Sequence, residues 1–423
     1  MFGFFRDGAA LVCDGVPLED VARAHGTPLY VYSAESIRRS YGSLDSAFAS
    51  HPHRIHYALK ANSSLAVVRL LRELGSAVDA NSIGEIDLAM RAGFDPSDIV
   101  FTGVGKSPDE IDRAVQLGLK AINAESGGEL ERIDRAARAH GVRARVAVRV
   151  NPDIDAGTHP HISTGLHINK FGVRLEQAAA LYRKMATQPG LHPVGIHVHL
   201  GSQIIALEPM QRAAAAVVTL VQQLRVEGIQ LDHIDVGGGL GISYDGSRVP
   251  SAAEYAASIL SALGHSGLSI ALEPGRFIVG SAGALLARVV DLKDGPGGHH
   301  FGVIDAGMTE LIRPALYGSF HRIEAVTPRT GRELCYDIVG PICESSDAFG
   351  DARKFPALEV GDLLAILDTG AYGSAMASNY NRHSLPAEVM IDAGHAKLTR
   401  RRQTIDDQLL LETSKGQGLP TAD

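Results

Sequence analysis

The sequence predicts a (β/α)8 TIM-type barrel followed by a β-rich domain, and three observations support this prediction. Short apolar segments alternate with amphipathic segments of helical spacing from about residue 34 to residue 276. After Arg276 this alternation stops, and strand-like segments bounded by Gly, Pro and Asp take over. Polar or glycine residues also follow the predicted barrel strands, at the ends where such barrels place their catalytic groups.

Eight segments of the first region have the length and apolar content of buried strands. The predicted strands are 55–59, 77–80, 99–102, 120–124, 145–150, 195–199, 233–236 and 270–273. The segments around them have apolar residues at helical spacing. The predicted helices are 35–48, 65–74, 83–92, 108–117, 130–139, 175–186, 210–226 and 253–263. Eight alternating units favour the barrel, and a doubly wound open sheet is the structural alternative.

The C-terminal region contains a second group of predicted strands, which are 285–292, 301–304, 334–339, 363–367 and 388–391. A predicted strand at 29–32 precedes the barrel and is expected to join this group. We therefore assign residues 34–276 to the barrel, and residues 1–33 and 277–423 to a β-sandwich or barrel-like domain. The connection 151–172 is rich in Gly, Pro, His and Thr, and structureless connections of that length are uncommon unless they are functional.

Composition narrows the class of protein. The chain has 423 residues, 45% of them hydrophobic, and its net charge of −8 argues against a nucleic-acid partner. No apolar run approaches the ~18 residues of a membrane span, and the N-terminus lacks the pattern of a signal peptide. We therefore expect a cytoplasmic protein with no membrane partner. A disulfide framework or zinc knuckle is not expected from three cysteines without close spacing, Cys13, Cys335 and Cys343.

The candidate chemical residues lie at the ends of the predicted barrel strands. In chain order they are Lys60, Asp79, Arg149, His199, Ser202, Gly237, Gly238, Gly239, Glu273, Gly275 and Arg276. Apolar residues flank Lys60, and a partly desolvated lysine at a strand end has a lowered pKa and an amine free for Schiff-base chemistry. The alternative for Lys60 is a solvated surface lysine.

The glycine run and the residues after the eighth strand suggest a phosphate site. Gly237-Gly238-Gly239 does not continue as the dinucleotide fingerprint GxGxxG, but backbone amides of such a turn can bind phosphate. Gly275 and Arg276 would complete the phosphate site that barrels often build from their seventh and eighth loops. A simple tight turn is the alternative for the glycine run.

Two histidines and one glutamate remain open to several interpretations. His197 and His199 share a face of their strand, but no carboxylate or cysteine at ligand spacing accompanies them in sequence, so we predict no metal site. A core histidine, or a ring stacked on an aromatic cofactor, explains the pair better. Glu273 could be a structural partner of Arg276 or, if the cofactor is pyridoxal phosphate, could pair with the pyridine nitrogen and keep that nitrogen protonated.

Together these residues carry a family pattern. The chain closely resembles the diaminopimelate decarboxylase family, a branch of the alanine-racemase-like, fold-type III pyridoxal-phosphate enzymes, from about residue 26 to about residue 404. The matching segments are 57–62, 198–203, 237–244, 273–276, 312–317, 340–344, 370–373 and 378–381. The resemblance implies pyridoxal 5'-phosphate as cofactor. It implies decarboxylation of meso-2,6-diaminopimelate to L-lysine and CO2, the last step of lysine biosynthesis, as the reaction.

The resemblance also implies roles for single residues. Lys60 would form the Schiff base, His199 would stack on the cofactor ring, and Glu273 would meet the pyridine nitrogen with Asp79 in support. The residues implied to hold the phosphate are Gly237, Gly238, Gly239, Gly275, Arg276 and Tyr372, with Ser202 close by. Cys343, the implied proton donor, and Glu344 would reach the active site from the other subunit of a homodimer. A small buried hydrophobe is the alternative for Cys343.

Substrate choice depends on Arg313 and Gly318. In ornithine-type relatives an aspartate follows the tyrosine that matches Tyr317, and here that position is Gly318. Arg313 lies one helical turn earlier, and a guanidinium suits a carboxylate and repels an ammonium. We therefore predict a substrate site formed by Arg276 and Arg313 for the distal carboxylate, Glu344 and Tyr372 for the distal amine, and Tyr317.

Three alternatives stay open. The first is a decarboxylase of another amino acid on the same fold, acting on ornithine, lysine, arginine, carboxynorspermidine or a carrier-bound substrate. The second is a non-catalytic regulator that has lost cofactor binding. The third is a racemase, which would prefer an arginine to Glu273 opposite the pyridine nitrogen.

Overall fold

The computed structural model describes residues 3–155, 170–295 and 299–413, so most of the connection 151–172 lies outside the described residues. The chain divides into two compact units. One unit comprises Ala34–Ala282 and Gly370–Ala375. The other comprises the residues up to Ser33, Gly283–Thr369, and the residues from Met376 onward.

Within the described residues, the first unit forms a closed barrel of eight parallel strands. These are His53–Ala58, Ala77–Ala80, Ile99–Phe101, Ala121–Ala124, Ala144–Asn151, Leu191–Val198, His233–Asp235 and Ser269–Leu272. Each strand pairs in parallel with the next, and the eighth pairs with the first, which closes the ring. A short strand, Val173–Arg174, extends the sheet beside the fifth. The prediction of a (β/α)8 barrel is confirmed, and the open sheet is excluded.

Helices alternate with these strands. They are Ala34–Phe48, Leu65–Glu73, Ile83–Ala92, Pro108–Leu117, Gly127–Ala139, Leu175–Thr187, Glu208–Val226, Ala252–Leu263 and the short Arg276–Val279. Local signals fix several starts, since Ser107 and Ser251 form capping boxes with Glu110 and Glu254. No helix in the described part of the chain is long and apolar enough to cross a membrane.

The second unit is built on antiparallel and mixed sheets. Its strands are Phe4–Asp7, Ala10–Cys13, Val16–Pro17, Leu29–Ser33, Gly283–Asp294, His300–Ile304, Ile323–Ala325, Glu333–Val339, Ala348–Pro356, Leu363–Ile366, Ala387–Asp392 and His395–Arg400. Its helices are Leu18–His25, Arg313–Tyr317 and Ile405–Thr413. The N-terminal three-stranded sheet and the strands Ala348–Pro356 and His395–Arg400 were not predicted, because they are short or largely exposed and lack a clear alternation of apolar residues.

Leu29–Ser33 is a central strand of this unit. It pairs antiparallel with Gly283–Asp294 and parallel with Ala387–Asp392, so the prediction that the N-terminal strand joins the C-terminal sheet is confirmed. Its side chains alternate between two cores: Leu29 and Val31 pack into one apolar cluster, and Tyr30 and Tyr32 into the other. Because both faces of the strand pack into apolar clusters, all five of its residues are buried.

Two buried histidines inside the barrel make its stability depend on pH. Nδ1 of His56 and Nδ1 of His233 have no hydrogen-bond partner among the described residues. Burial is the main cause that lowers the pKa of His56 to about 4 and the pKa of His233 to about 3, from an ordinary 6.5. Below pH 6.5 the unfolded chain binds protons that the folded chain does not, so the free energy of unfolding falls as the pH falls toward 4. Each histidine removes about 1.4 kcal/mol per pH unit in that window.

We expect the urea midpoint of unfolding to fall between about pH 6.5 and about pH 5, where these histidines protonate in the unfolded chain. His233→Gln should flatten this dependence, because glutamine does not titrate. The exposed His265 offers the matched control, since His265→Gln should leave the slope unchanged. Equal slopes for wild type and His233→Gln would contradict the assignment.

Candidate active site

Lys60 lies in a turn, Leu59–Ala61, directly after the first barrel strand. Leu59 and Ala61 are buried, whereas the Lys60 side chain is 36% exposed. Asn62 fixes the turn, since its Nδ2 donates to the carbonyl oxygen of Gly370 at 3.0 Å and its own carbonyl oxygen accepts from Tyr57 Oη at 2.9 Å. The lysine therefore sits on a rigid support at the end of a strand, as predicted.

Its protonation differs from the sequence-based expectation. Burial lowers the pKa of Lys60, but the carboxylates of Asp79 and Glu273 outweigh burial and raise that pKa above its ordinary value. Nζ donates to Asp79 Oδ2 at 3.2 Å. The prediction of a desolvated lysine with a lowered pKa is wrong, because the strand ends bring two acids to the amine that are distant in sequence.

Glu273 follows the eighth strand and accepts hydrogen bonds on both oxygens. His197 Nε2 lies 3.1 Å from Oε2, and Thr102 Oγ1 donates to Oε1 at 3.4 Å. Asn123 Nδ2 in turn donates to Thr102 Oγ1 at 2.9 Å, which leaves the threonine hydrogen for a nearby carboxylate, Glu273 or Asp79. Burial raises the pKa of Glu273, but His197 and Lys60 lower this pKa by more than burial raises it. The pKa of Glu273 is therefore well below its ordinary range. Glu273 is thus a buried, ionised acceptor.

The same region contains a group of side chains that a metal ion could use. Donor atoms of His197, Asp235 and Glu273 all lie within 4.8 Å of one another. Nε2 of His197 and Oε2 of Glu273 are however bonded to each other. Because that nitrogen donates a hydrogen to the carboxylate, its lone pair is not offered to a metal. We therefore interpret the group as a hydrogen-bonded cluster.

The backbone of the glycine run Gly237–Gly239 packs against the side chain of His199. Gly238 N donates to His199 Nδ1 at 3.2 Å, and burial, followed by the charge of Lys60, lowers the pKa of His199 well below its ordinary value. A Cβ on Gly237 would lie 2.6 Å from His199 Nδ1, and a Cβ on Gly238 would collide with the carbonyl oxygen of Glu273. Only glycine lets the backbone approach the site this closely.

Arg276 contacts two further residues that were predicted to bind the cofactor, Ser202 and Tyr372. It begins the helix Arg276–Val279, is buried, and donates to Ser202 Oγ at 3.1 Å and to Tyr244 Oη at 2.6 Å. Its guanidinium lies 4.9 Å from the ring centre of Tyr372. The Tyr372 amide donates to the carbonyl oxygen of Ala61 at 2.7 Å, which places this tyrosine beside the turn that carries Lys60. Glu273 is hydrogen-bonded to His197 and not to Arg276. The alternative in which Glu273 is a structural partner of Arg276 is therefore wrong.

The other predicted site residues belong to the second unit. Arg313 is buried at the start of the helix Arg313–Tyr317, and its Nη1 donates to His321 Nε2 at 2.8 Å. His321 Nδ1 lies 2.8 Å from the carbonyl oxygen of Leu367. A guanidinium only donates and a carbonyl only accepts, so His321 carries its hydrogen on Nδ1 and is neutral.

Cys343 and Glu344 lie in an ordered turn of the second unit. Asp347 accepts from Ile342 N at 2.7 Å and from Met308 N at 2.5 Å, which shapes the turn from within. Glu344 Oε1 accepts from Tyr380 Oη at 2.9 Å. Cys343 is exposed, so its alternative as a small buried hydrophobe does not hold in this chain.

The structure thus brings together the site residues predicted on the barrel, which are Lys60, Asp79, His199, Ser202, Gly237, Gly238, Gly239, Glu273, Gly275 and Arg276. Tyr372 joins them, because Gly370–Ala375 belongs to the barrel unit and not, as assigned from the sequence, to the β-rich domain. Arg149 is paired with buried Glu125 at 3.0 Å, and its charge contributes to the lowered pKa of His199. Thr102, Asn123, Asp235 and His321 are supporting groups that were not predicted from the sequence. Thr102 and Asp235 could have been found, because both are polar residues at the end of an apolar strand.

The chain is similar to known proteins over most of its length. The family model described as the pyridoxal binding domain of pyridoxal-dependent decarboxylases matches residues 34–280. A diaminopimelate decarboxylase of Vibrio cholerae is 45% identical over 413 residues, which cover 97% of this chain and 98% of that protein. One from Pseudomonas aeruginosa is 44% identical over 95% of this chain and 96% of its own.

Solved structures are similar over the same extent. The crystal structure of a diaminopimelate decarboxylase from Helicobacter pylori, complexed with L-lysine, matches with a TM-score of 0.91 and 41% identity. The match covers 93% of this chain and 99% of that one.

Proposed function

This chain belongs to the pyridoxal-dependent decarboxylase family, and from that premise we infer that it decarboxylates meso-2,6-diaminopimelate to L-lysine and CO2 with pyridoxal phosphate. The observation that carries the proposal is the convergence of Lys60, Asp79 and Glu273 at one end of the barrel, within electrostatic reach of one another. Incubation of the holoenzyme with meso-diaminopimelate should release lysine and CO2 in equal amounts. Release of neither would contradict the proposal. The cytoplasm is the proposed location, because protein synthesis consumes lysine there.

The residues at the barrel mouth fit the cofactor. Lys60 offers an amine for the aldehyde, Glu273 offers an ionised carboxylate for the pyridine nitrogen, and neutral His199 offers a ring face. Gly275 packs closely under Lys60, since a Cβ on it would lie 2.8 Å from Ala61 Cβ. The Gly237 and Gly238 amides already have acceptors inside the barrel, so their proposed part is to let the phosphate approach. Arg276, with Ser202 and Tyr372, would supply charge and donors to the phosphate.

When bound, pyridoxal phosphate supplies a ring that accepts the electrons left behind by the departing carboxyl group. Glu273 holds a proton at the pyridine nitrogen, because its low pKa keeps it a charged partner. To hold the cofactor, Lys60 would have to give up a proton, and Asp79, which accepts from its Nζ at 3.2 Å, is the acceptor in place. Cys343 is the proposed donor of the proton that replaces the carboxyl group.

The substrate class follows from Arg313. A buried guanidinium is desolvated and therefore binds a carboxylate strongly, and His321 fixes its direction through Nη1. A diamine precursor such as ornithine presents an ammonium at this position, which the guanidinium would repel. Diaminopimelate presents a carboxylate together with an amine, for which Glu344, Tyr317 and Tyr372 are the proposed neighbours.

Arg313→Ala should raise the KM for meso-diaminopimelate about 10- to 100-fold, because it removes charge-assisted hydrogen bonds worth ~1.5–3 kcal/mol. Steady-state kinetics measure this change. The matched control is Arg329→Ala, since Arg329 is more exposed than Arg313 and forms ion pairs with Glu359 and Asp362. An unchanged KM in Arg313→Ala would remove this residue from the substrate site.

We further propose a homodimer in which Cys343 and Glu344 complete the active site of the partner subunit. Leu316, Phe320 and Tyr380 are among the large apolar or aromatic side chains that the second unit exposes. Tyr380 contacts Glu344, so the predicted interface residue lies beside such an exposed ring. Exposed apolar surface of this kind is typical of association sites.

Mixing two inactive variants tests the shared site. Lys60→Ala and Cys343→Ala subunits should each be nearly inactive. After refolding in equal amounts, half of the dimers are mixed, each with one intact site, so about a quarter of wild-type activity should return. Absence of recovery in demonstrated mixed dimers would place Cys343 in the active site of its own subunit.

A further inference from the structure

A second acid lies beside the glutamate that faces the pyridine nitrogen. Asp235 ends the seventh barrel strand and is fully buried. Its Oδ1 accepts from the amide of Gly237 at 2.8 Å. Its Oδ2 finds no hydrogen-bond partner among the described residues. Side-chain oxygens of Asp235 and Glu273 lie within 4.8 Å of each other, so two buried carboxyl groups are adjacent.

The surroundings decide which of the two acids is charged. Two carboxylates this close in a dry site do not ionise together, and one of them keeps its proton. Glu273 receives hydrogen bonds from His197 and Thr102, whereas Asp235 receives one from a backbone amide. The other titratable groups that act on the pair are Lys60, His56, Asp79, His199 and Tyr255.

The electrostatics agree with this difference in donors. Burial, followed by the charge of Glu273, raises the pKa of Asp235 well above its ordinary value. The nearby cation Lys60 and the His197 hydrogen bond act in the opposite direction on Glu273. The negative charge therefore resides on Glu273.

We propose that Asp235 is a neutral carboxylic acid whose Oδ2–H donates to Glu273 and holds this glutamate toward the pyridine nitrogen. Asp235 is thus a positioning residue that acts through Glu273, a role that rests on the proposed function. The proton satisfies Oδ2, which otherwise has no partner in the described structure. Oδ1 meanwhile fixes Gly237, so one side chain connects the glycine run to the ionised glutamate.

Paired amide substitutions test the proposal. Asparagine copies the neutral acid, because its oxygen can accept from Gly237 and its NH2 can donate to Glu273. Asp235→Asn should therefore keep kcat near that of the wild type, whereas Asp235→Ala should lower kcat about 10- to 100-fold, as loss of a supporting partner does. Glu273→Gln is the matched variant and should lose most activity. The reverse pattern, with Glu273→Gln active and Asp235→Asn inactive, would overturn the proposal.

An infrared measurement tests the protonation without turnover. The carbonyl band of a protonated carboxyl group should be present in the wild-type holoenzyme at neutral pH and absent from Asp235→Asn, so it should appear in the difference spectrum of the two proteins. This readout needs no substrate, so it stands even if another amino acid is decarboxylated, and it does not depend on the folding of Asp235→Ala. No difference at that band, or a stoichiometric divalent metal in the purified protein, would overturn the proposal.

Discussion

Lys60→Ala should leave the protein folded and reduce turnover of meso-diaminopimelate by at least about 10²–10⁴-fold, the range that loss of a proton-transferring catalytic group spans. Within the described residues, Lys60 is the amine that pairs with Asp79, and the charge of Glu273 also acts on it. The variant should also lose the absorbance band that borohydride bleaches, and wild-type protein reduced with borohydride should carry the cofactor on the peptide containing Lys60. Mass spectrometry of that peptide measures the attachment.

Two variants separate the chemistry of Lys60 from its charge. Lys60→Arg keeps a cation near Asp79 but offers no amine that can become neutral, so it should be as inactive as Lys60→Ala. Lys184→Ala removes an exposed lysine paired with Glu131 on the barrel surface and should behave as the wild type. Substantial turnover by Lys60→Arg would mean that the lysine acts through its charge alone.

Glu273→Gln should lower kcat on the order of 10²–10³-fold, the range for removal of one preorganised electrostatic group. Glutamine cannot carry the negative charge that, in the proposed role of Glu273, keeps the pyridine nitrogen protonated. Cofactor attachment should persist, because Lys60 and Arg276 are unchanged. Stopped-flow absorbance and steady-state kinetics measure the two effects separately.

A buried glutamate elsewhere in the barrel provides the control for Glu273. Glu129 accepts from Lys106 at 2.8 Å and is equally buried. Glu129→Gln should reduce stability, because it leaves the Lys106 charge without its partner, while kcat per folded enzyme stays unchanged. If Glu273→Gln matched Glu129→Gln in kcat, its carboxylate would have no chemical role.

The sequence was sufficient for the barrel because its strands are short apolar segments with polar ends. Lys60, Asp79 and Glu273 could be assigned to one rim from that pattern alone, since parallel strands of a barrel end on the same side. The N-terminal three-stranded sheet escaped prediction, because Phe4–Asp7 and Val16–Pro17 are too short to give a periodic signal.

Protonation states could not be predicted in the same way. The raised pKa of Lys60 depends on two acids from other strands, and the charge on Glu273 depends on His197 and Thr102 from two more. Within its own segment, none of these side chains indicates which charged group it will meet. The neutral His321 that directs Arg313 is likewise visible only when the carbonyl oxygen of Leu367 is placed beside it.

The most direct test of the proposed activity is a competition among substrates in one reaction. The holoenzyme is supplied with equal amounts of meso-diaminopimelate, ornithine, lysine and arginine, and the products are identified by chromatography and mass spectrometry. The distal-carboxylate site built on Arg313 predicts that diaminopimelate alone is consumed and that lysine accumulates. Formation of putrescine, cadaverine or agmatine at a comparable rate would contradict it.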